Sequence, residues 1–156
     1  MRIGNNPNKD KIVCEGGFLH QILIPVYIPN QDDYFSDSFK IFKKCLQSIF
    51  QTIDIEYTYI SVVNNGSCVD VENYLLALKN ENKIQELINT SNIGKLNAIY
   101  KGVVGHNFDF ITIADADTMF LSGWQYETIN IFNTFPKAGM VGIVPQFNMY
   151  ANFCTN

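Results

Sequence analysis

The sequence has no dense cluster of lysine or arginine and no long apolar run. Its 156 residues hold 11 basic and 15 acidic side chains, for a formal net charge of −4, so a basic surface for a nucleic-acid backbone is not indicated. No uninterrupted apolar segment approaches the roughly 18 residues of a membrane span. The first residues, MRIGNNPNKDKIVCEGG, are polar and glycine-rich where a signal peptide would be apolar. We therefore expect a soluble, cytoplasmic protein with no nucleic-acid partner and no membrane span.

Paired cysteines are also lacking. The cysteines lie far apart and form no C-x-x-C pair; they are Cys14, Cys45, Cys68 and Cys154. This spacing favours reduced thiols in a cytoplasmic protein over a zinc site or a disulfide framework. With 47% hydrophobic residues, the chain is long enough for one compact domain with its own core.

What the sequence does contain is an alternation of short apolar runs with helical patterns. Residues 1–20 are irregular and are expected to form an N-terminal arm, whereas 21–156 form the folded part. We expect strands at 21–28, 57–63, 108–114 and 138–147, and helices at 36–50, 69–81, 94–105 and 123–135. Residues 84–90 fit either the end of a helix or a strand. This alternation predicts an α/β fold, a mostly parallel sheet with helices on both faces.

Ligands of such sheets bind outside the carboxyl ends of the strands. One strand end carries two aspartates, in FITIADADTMFLSGW (110–124). If the strand stays extended through residue 117, its period of two puts Asp115 and Asp117 on the same side. Two such carboxylates suit Mg²⁺ or Mn²⁺, which fill their other positions with water and substrate phosphate. The alternative is an ordinary turn in which an aspartate caps the next loop.

Five segments follow one another in a specific order: ILIPVYIPN, CLQSIFQT, ISVVNNGS, SNIGKLNAIYKG and FITIADADTMFLSGW, within residues 21–124. With them the chain resembles the family 2 glycosyltransferases, nucleotide-sugar-dependent enzymes with the GT-A fold. The resemblance implies that Asp115 lies near the donor ribose or contacts the metal, and that Asp117 holds the metal bridging the donor's diphosphate. It also implies sugar transfer from a nucleotide diphosphate sugar to a hydroxyl of a glycan or lipid-linked acceptor, with inversion, as in polysaccharide biosynthesis.

The resemblance gives roles to residues at other strand ends, each with a structural alternative. Pro25 and Tyr27 would line the base pocket, although an apolar strand needs no such role. Asn64 and Asn65 stand where the family has an aspartate that contacts the donor's base. Amides donate as well as accept, so base preference stays open, and the segment also fits a plain Asn-Gly turn.

The segment NIGKLNA (92–98) would meet the phosphates. Asn92 is a candidate cap, Gly94 would allow a close approach, and Lys95 lies in the first turn of a helix, a place that suits a phosphate. A solvated surface lysine is the alternative for Lys95. Trp124 fits equally a wall of the sugar pocket and a core residue.

A general base is not evident. Inversion needs a carboxylate to take the acceptor's proton, and the acidic residue after Trp124 is Glu127 alone, which fits better as a first-turn helix carboxylate. We expect a truncated donor half that lacks the acceptor half, is weakly active or inactive alone, and self-associates through apolar surface exposed by truncation. Other hypotheses are a catalytically silent nucleotide-sugar-binding module and a haloacid-dehalogenase-type phosphatase, whose D-x-D motif normally opens the domain.

Overall fold

The computed structural model describes residues 17–142, which form one parallel sheet. Its strands are β1 (His20–Val26), β2 (Thr58–Asn65), β3 (Glu86–Thr90) and β4 (Phe110–Ile113), in the order β3-β2-β1-β4 with every neighbouring pair parallel. The helices are α1 (Ser38–Thr52), α2 (Val69–Asn80), α3 (Lys95–Val103) and α4 (Trp124–Thr134), and a 3₁₀ turn (Asp33–Phe35) precedes α1. The expected α/β fold with a parallel sheet is confirmed.

Helices cover both faces of the central strands because successive side chains of a strand point to opposite faces. One face packs against the apolar stripes of α1 and α2 through the buried residues Ile22, Ile24, Ile60 and Val62. On the other face, Leu23 and Val63 pack against Ala98 of α3. The helical spacing of apolar residues seen in the sequence of α1 is its buried stripe, formed by Phe39, Phe42, Leu46 and Ile49.

The edge strand β4 is covered less than the sequence suggests. Ile111 and Ile113 are 43% and 53% exposed, whereas Thr112 between them is 8% exposed. The apolar run 108–114 indicates a buried strand, but its strand portion is half exposed. On this face the buried cluster beneath α3 is formed with Leu23 of β1 and Val63 of β2, and β4 lies at the edge of the sheet. The expected self-association through exposed apolar surface stays a prediction.

Two segments differ from expectation or resolve an ambiguity. Residues 84–90 contain a strand, β3, which pairs with β2. Of the strand expected at 138–147, residues 138–142 are irregular, and the remainder lies outside the described residues, as do residues 1–16 of the expected arm. Within the described part of the chain, none of the helices combines the length and apolarity needed to traverse a bilayer.

Candidate functional site at the carboxyl edge of the sheet

A pocket of about 590 Å³ lies at the carboxyl ends of β1 and β2 and beside the turn after β4. The structure brings into its lining the following residues singled out from the sequence: Pro25, Tyr27, Asn65, Asn92, Lys95, Asp115 and Asp117. The rule that parallel sheets bind ligands at this edge therefore locates the pocket correctly.

The two aspartates stand in a turn and not in an extended strand. β4 ends at Ile113, the N–H of Ala114 still donates to a carbonyl of β1 (3.0 Å), and the N–H of Thr118 then donates to the carbonyl of Asp115 (3.2 Å). The condition of extended backbone through residue 117 is therefore not met, and the turn that was the alternative is present. Asp115 and Asp117 nevertheless line one pocket, because the turn follows directly on the strand end.

Asp115 already has a positive partner. The Nζ atom of Lys95 lies 2.5 Å from Oδ1 of Asp115, and the two side chains are 59% and 55% exposed. Such an exposed pair stabilises the fold by less than about 1 kcal/mol. Among residues 17–142, no cationic side chain pairs with Asp117, so Asp117 is the carboxylate left to attract a cation.

The chemistry of the carboxylates decides which metals fit. Within the described ranges, no group of three or more His, Cys, Asp or Glu side chains could hold a metal ion. Mg²⁺ and Mn²⁺ fit this set, since they bind through one or two protein carboxylates and complete their coordination with water and phosphate oxygens. A structural zinc site, with four protein ligands, does not fit. A cation at Asp117 would therefore complete its coordination with water and with oxygen atoms of a bound ligand.

Two carboxamides line the pocket, and backbone N–H groups fix their orientation. Oδ1 of Asn65 accepts from the N–H of Ile93 (2.9 Å), and Oδ1 of Asn92 accepts from the N–H of Gly94 (3.1 Å). Because a backbone N–H must face an oxygen, these contacts identify which terminal atom of each side chain is the amide nitrogen. Nδ2 of Asn65 donates to Oδ1 of Asn92 (3.3 Å). Each amide nitrogen thus keeps an uncommitted N–H among the described residues.

Two glycines with positive φ shape the loops that carry these amides. Gly66 has φ +86°, and a Cβ there would lie 2.8 Å from the backbone nitrogen of Asn92. Gly94 has φ +81° and no atom within 4 Å of a Cβ position. The tight approach within the protein is thus at Gly66, whereas the close approach of a phosphate at Gly94 stays a prediction. The N-cap of α3 is Gly94 and not Asn92. The Asn-Gly turn signal was the sequence clue to Gly66.

Asn64 and Trp124 lie outside the pocket lining. Asn64 is 3% exposed, accepts from the N–H of Ser67 (3.0 Å) and donates to Oδ1 of Asn89 (3.0 Å), so it holds the turn after β2. Trp124 is 8% exposed, and its indole N–H donates to Oγ1 of Thr52 (3.0 Å). The structure places Trp124 in the core, because the first turn of α4 packs against α1.

Other pocket residues were missed from the sequence. Tyr34, Ser38 and Ile41 line the pocket from the 3₁₀ turn and the first turns of α1, and Tyr34 is 89% exposed. Their position soon after the carboxyl end of β1 was the signal that could have found them, since loops at this edge surround the ligand site.

A buried polar network joins α4 to the sheet away from this pocket. Gln125 donates to Nδ1 of His20 (2.7 Å) and to Oγ1 of Thr58 (2.8 Å), and accepts from the N–H of Asp54 (2.8 Å). Because Nδ1 accepts, Nε2 of His20 carries the hydrogen and donates to Oγ1 of Thr112 (2.8 Å). Burial lowers the pKa of His20 from 6.5 to about 4, so the ring is neutral near pH 7, as this pattern requires.

Comparison with known proteins gives matches among solved structures. No family model and no curated protein matches the sequence. TarS of S. aureus (residues 1–349) matches with a TM-score of 0.61 at 14% identity, over 81% of this chain and 38% of TarS, and a TarS structure in complex with UDP gives the same values. A mannosyltransferase of Pyrobaculum calidifontis, PcManGT, in complex with GDP-Man and Mn²⁺, matches with 0.60 at 14% identity, over 80% of this chain and 34% of its own.

These matches define the class of fold. Both proteins are GT-A glycosyltransferases, so the chain has a GT-A-like α/β fold, as the order of its sequence segments indicates. It spans 34–38% of the length of these solved structures. At 14% identity, the likeness concerns the fold.

Proposed function

We propose that this chain is the donor-binding part of a metal-dependent glycosyltransferase that uses a nucleotide diphosphate sugar. The observation that carries the proposal is the pocket at the carboxyl edge of the sheet, where Asp117, which pairs with no cationic side chain among residues 17–142, stands beside the Lys95–Asp115 ion pair. The fold neighbours, solved in complex with UDP and with GDP-Man plus Mn²⁺, support a nucleotide diphosphate as ligand and a divalent cation as cofactor.

The pocket lining suits a nucleoside. Pro25 and the exposed rings of Tyr27 and Tyr34 offer flat apolar surface to a base. The uncommitted N–H groups of Asn65 and Asn92 would donate to oxygen or ring nitrogen atoms of the base. This arrangement leaves the charged side chains of the pocket for the ribose and the phosphates.

The charged residues divide the remaining tasks. Asp115 would accept hydrogen bonds from the ribose hydroxyls while its Oδ1 atom stays paired with Lys95. Lys95, in the first turn of α3, would donate to the diphosphate. Asp117 would hold Mn²⁺ or Mg²⁺, and a cation bound there would supply charge neutralisation for the leaving diphosphate.

The reaction served by such a site is a displacement at the anomeric carbon. The bond from this carbon to the diphosphate oxygen breaks, with its electron pair going to the diphosphate, while the acceptor hydroxyl oxygen forms the new bond and its proton passes to a base. A single displacement gives the inversion that we propose. Glu127 is exposed in the first turn of α4, and we assign no base among residues 17–142. We therefore propose that the chain alone binds donor but transfers sugar poorly.

A second candidate function is a catalytically silent nucleotide-sugar-binding module. The observation in its favour is that Glu127, the acidic residue after Trp124, is exposed in the first turn of α4 and does not line the pocket. The phosphatase hypothesis gains nothing from the structure, because the aspartates follow β4, the last strand of the described chain, and not the first. Sugar transfer by a longer form of the protein would separate the enzyme from the silent module.

The test of the proposed function is a calorimetric titration of UDP, GDP and dTDP into the chain, each with Mn²⁺ and with EDTA. We expect one nucleotide to bind in a Mn²⁺-dependent way. Asp117→Ala should weaken that binding at least about tenfold, since it removes the unpaired carboxylate, with unchanged circular dichroism. Asp109→Ala is the matched control, because Asp109 is exposed and precedes β4 at the opposite end of the strand. Equal affinity of parent and Asp117→Ala would refute the metal assignment.

A further inference from the structure

A second pocket, of about 390 Å³, opens beside the first and shares Asp117 and Ile41 with it. Lys40 and Lys44 of α1 line one side, one helical turn apart. Met119, in the segment after Asp117, lines the other side. The binding of a donor as proposed above uses the first pocket and leaves this one empty.

The two lysines of this pocket are uncommitted. Among residues 17–142, neither Lys40 nor Lys44 forms an ion pair, and Lys44 has one long contact, 3.5 Å from Nζ to Oε1 of Gln47. Lys43, between them in sequence, is committed elsewhere, since its Nζ lies 3.9 Å from the centroid of the Phe39 ring. Helix α1 therefore lines the pocket with two lysines that form no ion pair among the described residues, and it uses Lys43 for packing.

The charge of this pocket depends on a cation at Asp117. The lining also contains the carboxylates of Asp37 and Asp117, which balance Lys40 and Lys44 when no metal is bound. A divalent cation held by Asp117 would make the pocket positive. An anion would then be attracted to the lysines, and its binding would be coupled to that of the metal.

The position of the pocket points to the acceptor. In the proposed function the diphosphate lies at Asp117 and the transferred sugar is attached to it, so the reacting carbon is at this end of the first pocket. The attacking hydroxyl must reach the same carbon, and the second pocket opens from the same carboxylate. Its apolar lining by Ile41 and Met119 would contact carbon atoms of the incoming molecule.

We propose that this second pocket binds the acceptor through an anionic group, a phosphate or a carboxylate, held by Lys40 and Lys44. The claim that the acceptor enters through this pocket rests on the proposed function, which places the reacting carbon beside Asp117. The pocket and its two lysines are observed whether or not that function holds. It places the acceptor in the class of molecules that carry a phosphate or a carboxylate group.

The test uses glycerol 3-phosphate as the probe, titrated into the full chain with excess Mg²⁺ and no nucleotide, and followed by ¹H–¹⁵N NMR. We expect shifts at the backbone amides of 37–45 and 117–119. The double variant Lys40→Gln/Lys44→Gln should lose at least about tenfold in affinity, as expected for two charge-assisted contacts. Lys43→Gln, the matched control, should bind as the parent does. EDTA in place of Mg²⁺ should weaken binding.

Three results would overturn the proposal. The first is the absence of shifts at these two segments, and the second is an equal loss of affinity in Lys43→Gln, since binding would then be a property of any surface lysine. The third is weakened nucleotide binding in the double variant, because Lys40 and Lys44 would then serve the donor. The proposed function fails by a different result, undiminished nucleotide binding by Asp117→Ala, so the two failures are distinguishable.

Discussion

The buried His20 should make the stability of this fold depend on pH between about 4 and 6.5. Its pKa is about 4 in the folded protein and 6.5 as a free side chain, so the unfolded chain binds the proton more readily. The resulting stability is fully present above pH 6.5 and is lost as the pH falls towards 4. At 1.36 kcal/mol per pH unit, the full loss is about 3 kcal/mol, a large part of the stability of a small domain.

Urea unfolding followed by the fluorescence of Trp124, the single tryptophan, measures this loss. We compare the parent chain with His20→Gln at about pH 7, 5.5 and 4.5. Between the highest and lowest values the parent should lose about 2 kcal/mol more than the variant, which cannot titrate at position 20. Carboxylates and His106 are common to both chains, so their contributions cancel in the difference.

One result would refute this reasoning about His20. If parent and variant lose the same free energy of unfolding as the pH falls, the ring is not held neutral by its surroundings. The hydrogen bonds that His20 makes with Gln125 and Thr112 would then have to persist in the protonated ring. Protonation puts a hydrogen on Nδ1, and Nδ1 can then no longer accept the hydrogen bond from Gln125.

Two substitutions test the loops around the site. Gly66→Ala should lower the free energy of unfolding by about 1–3 kcal/mol, because a Cβ at φ +86° would meet the nitrogen of Asn92 at 2.8 Å. Gly139→Ala is the control, since the space around Gly139 is open. Equal urea midpoints for the two variants would contradict the argument. Lys95→Met should change stability by less than about 1 kcal/mol yet weaken nucleotide diphosphate binding about tenfold in calorimetry. Lys101→Met in the last turn of α3 should bind normally, and equal losses in both would count against a phosphate contact by Lys95.

The helices and strands could be predicted because their signals are local. Apolar residues with periods of about 3.6 and 2 located α1 and β1 to within a few residues. Residues 84–90 remained ambiguous, because a short segment with weak periodicity becomes a strand only when a partner strand lies beside it, here β2. Strand ends were least certain: Asn64 and Asn65, expected in a turn, are the last residues of β2.

The roles of individual side chains depended on contacts that the sequence does not show. Asn64 and Asn65 are neighbours in the chain, yet they point to opposite sides of β2, and Asn65 lines the pocket while Asn64 holds a turn. Trp124 fitted the pocket and the core equally well by residue type. In the structure Trp124 is buried in the core, and its indole N–H donates to Thr52, which lies 72 positions earlier in the chain.

By itself, the sequence determined the alternation of strands and helices and the two carboxylates after β4, because periodicity and residue identity belong to the chain. Only the tertiary structure decided that Lys95, 20 positions earlier, pairs with Asp115 and leaves Asp117 unpaired among the described residues. It also decided that Lys40 and Lys44 share a pocket with Asp117. The physical reason is that these contacts arise when helices pack on a common sheet, and no local pattern encodes that packing.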